Sequence, residues 1–63
     1  MEEGLLTVRQ VAAKLNLSEW TIRRWLRDGK LKGVWLSDRA GWRVRPSEVE
    51  AFLRRLEEGR REP

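Results

Sequence analysis

Between Thr7 and Gly29 the chain reads TVRQVAAKLNLSEWTIRRWLRDG, and the spacing of its apolar residues permits little besides two short helices joined by a tight turn. Val8, Val11, Ala12 and Leu15 fall at i, i+3, i+4 and i+7, the stripe one helix face would bury. Ala12 is small enough for a second helix to cross closely there. Thr7 and Gln10 stand at the S/T-x-x-E/Q spacing of a capping box, in which each side chain serves the other's backbone N–H, so the first helix starts at Thr7. Asn16 and Leu17 make the turn. Ser18 caps the second helix, with Leu17 and Ile22 spaced as a hydrophobic staple. Ile22, Trp25 and Leu26 share about 100° of helical arc and face a core, which leaves Trp20, Arg23, Arg24 and Arg27 on the other side. Gly29 supplies the left-handed residue that ends the helix.

The period changes after Lys30. Val34 and Leu36 alternate with Gly33 and Trp35, and Trp42 and Val44 alternate with Gly41, Arg43 and Arg45. Alternation on both sides of SDRAG predicts a hairpin with Val34, Leu36, Trp42 and Val44 inside and Trp35, Arg43 and Arg45 outside. A two-stranded ribbon is weak alone, so this one must lean on helices. Pro46 suits the first position of a third helix, and Val49, Phe52, Leu53 and Leu56 repeat a buried stripe along it. Gly59 ends that helix, and Arg60 to Pro63 is expected to form a frayed tail.

Sixty-three residues without Cys or His exclude a disulfide framework and the usual structural zinc sites, so stability must come from apolar burial. No cofactor is implied. No apolar run approaches the roughly 18 residues of a membrane span, and MEEGLL lacks the basic start of a secretory signal. A cytoplasmic protein is expected. The net charge of +4 is unevenly placed: from Arg9 to Arg45, ten basic residues face only Glu19, Asp28 and Asp38. A basic middle between near-neutral ends suits a polyanionic partner, and equally a solvated surface. Arg outnumbers Lys, which fits guanine and phosphate recognition but also a GC-rich or thermophilic source.

Helix, turn, helix, hairpin, helix is the order of a winged helix-turn-helix: mainly α with a small β-hairpin as the wing and a closing helix. It makes one domain over residues 1–63, with an ordered core of about 5–58. A short helix pair with a basic second member is the arrangement that places a helix in the DNA major groove.

The residues also resemble the excisionase-type and MerR-type helix-turn-helix domains. The likeness is carried by Leu6, Thr7, Ala12, Leu15, Leu17, Ser18, Thr21, Ile22, Arg24, Trp25, Gly29 and Leu31, then past the wing by Arg43, Val44, Glu48, Val49, Phe52 and Leu53. It spans about residues 5 to 57. Gln10 stands where Glu is usual, and Trp20 where a small or polar residue is commoner. The resemblance implies a sequence-reading binder of double-stranded DNA, with the second helix in the major groove and the wing on the adjacent backbone or minor groove. Thr21, Arg23 and Arg24 match positions that commonly touch DNA, and Arg43 matches the wing's recurrent Arg. Full MerR-type regulators continue into a coiled coil and an effector domain, so a small-molecule effector is not implied here.

Weighed singly, Arg23, Arg24 and Arg27 suit either a solvated face, with Arg23 pairing Glu19 at i+4, or a DNA-facing one. Arg23 is the candidate for a base contact because its fork matches guanine O6 and N7, and Arg24 and Arg27 are candidates for phosphates. Arg39, at the wing tip, is a candidate for the minor groove or a phosphate. Trp25 belongs to the core, and Trp42 packs on the third helix with one edge exposed. Trp20 and Trp35 point outward. Trp20 suits a groove contact or cover by neighbouring Arg stems; Trp35 suits such cover or a second protein copy. Without His, Cys or Tyr, and with carboxylates scattered over helix starts, hairpin tip and tails, no catalytic constellation forms. The expectation is therefore a nucleoid-associated DNA-binding protein, either a small transcription regulator or an excisionase-like recombination factor, with self-association on DNA left open. The alternative is a protein-interaction module using Trp20 and Trp35, its basic residues serving solubility.

Overall fold

Thr7 serves two elements at once. It closes a two-residue strand, β1 (Leu6–Thr7), and caps the helix that follows, α1 (Val8–Leu15). The computed structural model describes residues 4–59, and the expected C-terminal tail, Arg60 to Pro63, lies outside them. The capping box is formed as its spacing predicts: the Gln10 N–H donates to Thr7 Oγ1 at 3.0 Å, and the Thr7 N–H donates to Gln10 Oε1 at 2.9 Å. Asn16 ends α1 in the left-handed region at φ 60°, which Asn tolerates better than most residues, and the Leu17 N–H closes on the Ala12 carbonyl at 2.8 Å.

Ser18 opens α2 (Glu19–Asp28), its Oγ accepting from the Thr21 N–H at 3.1 Å. Gly29 ends that helix at φ 86°. Ile22 is 0% exposed, whereas Leu17, its expected staple partner, stays largely open to solvent. Trp25 is partly rather than fully buried, its ring 4.9 Å from that of Phe52 and tilted by 52°. Two further strands, β2 (Val34–Trp35) and β3 (Trp42–Val44), precede α3 (Pro46–Gly59).

The sheet departs from the predicted hairpin in two ways. It has three antiparallel strands in the order β1-β3-β2, because Leu6 and Thr7 pair with Val44 and Arg43 on the far side of β3. A two-residue strand carries no readable alternation, so nothing in the local pattern announces β1. The facing of β2 is also the reverse of that expected. Its register sets Val34 opposite Arg43 and Trp35 opposite Trp42, so Trp35 shares a face with Trp42 and the buried Val44. Val34 and Leu36, expected inside, are 45% and 49% exposed. Register overrides hydrophobicity here, because a one-residue step moves every side chain of a strand to the other face.

One core holds these elements together: Val8, Val11 and Ala12 of α1, Ile22 and Leu26 of α2, Leu31, Val44 of β3, and Val49 and Phe52 of α3. Fully burying a side chain such as Ile22 contributes about 1.5–3 kcal/mol. Leu53 is only half-buried and Leu56 is exposed, so the α3 stripe is narrower than its sequence spacing suggests. Arg55 of α3 donates to the Lys30 carbonyl at 3.2 Å, tying α3 to the loop after α2. Among the described residues no helix is long and apolar enough to cross a membrane.

Candidate nucleic-acid interface

The Ser18 cap and the buried side of α2 fix which way the rest of that helix points. With Ile22 and Leu26 committed to the core, Trp20, Arg23, Arg24 and Arg27 project to solvent, and Trp20 is 66% exposed. The wing rises beside this face. Its turn is closed by the Gly41 N–H donating to the Ser37 carbonyl at 2.7 Å and the Ala40 N–H donating to Ser37 Oγ at 3.0 Å, with Gly41 at φ 75°. Arg43 braces that turn from β3. Its Nη1 donates to the carbonyls of Ala40 at 2.7 Å and Trp42 at 2.9 Å.

Between α2, the wing and the start of α1 lies an open cleft of about 430 Å³, and four guanidinium side chains line it: Arg9, Arg23, Arg27 and Arg43. Trp35 and Trp42 form its wing-side wall, with ring centroids 5.5 Å apart and planes at 76°. Trp35 is 52% exposed, as expected of an outward Trp, but its edge-on contact with Trp42 makes it part of the cleft rather than an isolated projection. Glu19 is the carboxylate among the lining residues, and Arg23 Nη2 donates to its Oε1 at 3.2 Å.

The remaining candidates divide. Trp20 and Arg24 border a second hollow of about 250 Å³ on α2, which Arg23 and Arg27 also line. The Arg24 guanidinium lies 5.4 Å from the Trp20 ring centroid, in the geometry of a cation–π contact, and its Nε is 3.9 Å from Asp28. Thr21 is engaged in the helix cap, with its Oγ1 2.9 Å from Ser18 Oγ. Arg39 sits exposed in the wing turn, outside both hollows. Arg9 was not singled out by the sequence. The α1 stripe shows only that Arg9 lies off the core, whereas the crossing of α1 and α2 turns it into the same cleft as Arg23. Uncharged lining is limited to short side chains and the two indoles, so the cleft offers a fork-shaped array of N–H donors to a polyanion.

A helix pair closed by a capped turn, a third helix beneath it and a wing beside a basic second helix define a winged helix-turn-helix domain. Residues 5–57 match the helix-turn-helix domain family, and the chain belongs to that family of DNA-binding domains. It is also similar to the transcriptional repressor DcmR of Methylorubrum extorquens, with 40% identity over 52 residues. That alignment covers 82% of this chain and 20% of the relative, so the chain spans about a fifth of the repressor's length.

Proposed function

We propose that this chain binds double-stranded DNA sequence-selectively, with α2 in the major groove and the wing against the neighbouring backbone, and acts as a small transcription regulator. The convergence of Arg9, Arg23, Arg27 and Arg43 on one cleft between α2 and the wing carries this reading. Arg23 reads a base edge. Arg24, Arg27, Arg39 and Arg43 hold phosphates, while Trp20 and Thr21 flank the groove contact. Likeness to a transcriptional repressor supports regulation, and the excisionase-type resemblance supports an architectural role in recombination through the same contacts. Such work places the protein in the cytoplasm with the nucleoid. It asks for no catalysis or cofactor.

The test is enrichment of duplexes from a randomised pool, followed by footprinting and a bending assay on the selected site. A single unbent site or palindrome supports the regulator. Adjacent sites with strong bending support the recombination factor. Absence of any enriched duplex, with binding indifferent to salt, would return Trp20 and Trp35 to the role of a protein-interaction face.

A further inference from the structure

We propose that Glu19 is a positioning residue for specificity: it holds the Arg23 guanidinium so that Arg23 meets a base edge and is turned away from phosphate. The proposal rests on the DNA-binding reading above and adds the residue that sorts one arginine from the others.

A carboxylate inside a basic cleft works against a polyanionic ligand, since its charge repels every phosphate that approaches. Glu19 nevertheless lines the cleft with Arg9, Arg23, Arg27 and Arg43, and it is half-buried in the first turn of α2. The N-terminal turn of a recognition helix is the part that reaches base edges. Its Oε1 accepts from Arg23 Nη2 at 3.2 Å, one helical turn along the same face. That bond uses one of the five N–H groups of the guanidinium and leaves the others to form a fork.

Charge then decides what the fork can bind. Arg23 and Glu19 together are a neutral pair. Towards a phosphate, the repulsion from Glu19 offsets much of the attraction of Arg23. Guanine is neutral as a whole and its O6 and N7 carry only partial negative charge, so towards them the hydrogen bonds remain and the repulsion is much weaker than towards a phosphate. Arg43 is held differently, by the neutral carbonyls of Ala40 and Trp42, and keeps its full attraction for phosphate. The Arg24–Asp28 pair is longer, at 3.9 Å, and borders the other hollow beside Trp20. Both side chains remain solvent-accessible, 58% for Arg23 and 43% for Glu19, so the pair sets local charge and direction and adds little to stability.

The experiment compares the 63-residue chain with Glu19→Gln and Glu19→Asp, using the duplex enriched from the randomised pool, its single-base variants and an unrelated duplex of equal length. Thermal melts establish that each variant is folded. Glu19→Gln is expected to bind the unrelated duplex more tightly, with a salt slope steeper by about 0.9, as for one additional phosphate contact. It is also expected to lose roughly fivefold or more of the discrimination at one base pair. Glu19→Asp keeps the charge and shortens the reach, so affinity for the unrelated duplex stays near wild type while discrimination falls. If Glu19→Gln fails to fold, the Asp variant decides. Wild-type discrimination retained in the folded variants overturns the proposal, even where affinity rises. If the wild-type chain enriches no motif at all, the DNA-binding reading itself fails, a result distinct from the first.

Discussion

Gly33 packs so closely on Leu26 that a Cβ at position 33 would stand 2.6 Å from Leu26 Cδ2. The same atom would lie 3.1 Å from the Arg43 carbonyl and 3.4 Å from Val44 Cγ2, so the start of the wing has no room for a side chain against α2 and β3. Gly33→Ala is therefore expected to push β2 away from Leu26 and destabilise the domain by about 1–3 kcal/mol, the range of overpacked cores. Thermal melts read the loss. A melting temperature equal to wild type would show that the wing is not seated on the core in this way.

The core and the exposed side of α2 should respond very differently to truncation. Ile22 is fully buried, so Ile22→Ala is expected to lose about 2–5 kcal/mol, comparable to the whole stability of a small domain. Trp25, partly exposed but packed on Phe52, should sit near the low end of the roughly 3–5 kcal/mol for aromatic truncation. Trp20→Ala should leave the melt nearly unchanged, since that ring contacts solvent and Arg24. Equal losses for Trp20 and Trp25 would contradict the orientation of α2.

Helix capping gives an independent check on the turn. Ser18 Oγ accepts the Thr21 N–H and also meets Thr21 Oγ1. Ser18→Ala should cost about 1 kcal/mol, and Ser18→Asp, which can still accept from Thr21, should restore most of it. Urea titrations with an unchanged m-value would attribute the difference to the native helix rather than to the unfolded chain.

Affinity for duplex DNA should fall steeply with salt. If Arg24, Arg27, Arg39 and Arg43, with or without Lys30, lie near phosphates while Arg23 meets a base, the slope of log K against log[salt] should be about −3.5 to −4.5 per protomer. A flat titration would contradict the assignment of this face to DNA.

Arg23 and Arg43 line the same cleft but should differ in what their loss reveals. Arg23→Ala is expected to relax the preference at one base pair, by about 1–3 kcal/mol of discrimination. Arg43→Ala should weaken selected and unrelated duplexes together, both through the lost charge and through loosening of the turn that Arg43 braces at Ala40. Competition over single-base variants at one fixed salt separates the two. Base preference altered by Arg43→Ala alone would make the wing the reading element.

Much of the domain was decided by residues close together in the chain. The Thr7–Gln10 box, the Ser18 cap, the left-handed Gly29, and the outward position of Arg23, Arg24 and Arg27 depend on contacts three or four residues apart. Such contacts follow from helical geometry alone, so spacing is enough to read them. The wing was different. That Val34 and Leu36 lie away from the core, and that Trp35 shares the face of Trp42 while staying exposed, depends on which residue of β3 stands opposite, and on Gly33 admitting Leu26 and Val44. Alternation shows that two faces exist, but only pairing across the sheet says which one is buried. The strand at Leu6–Thr7 and the entry of Arg9 into the cleft likewise depend on partners far along the chain, Val44 and Arg43 for the strand, Arg23 and Arg27 for the cleft. Local periodicity carries no information about such distances, which is why tertiary packing alone brought these residues together.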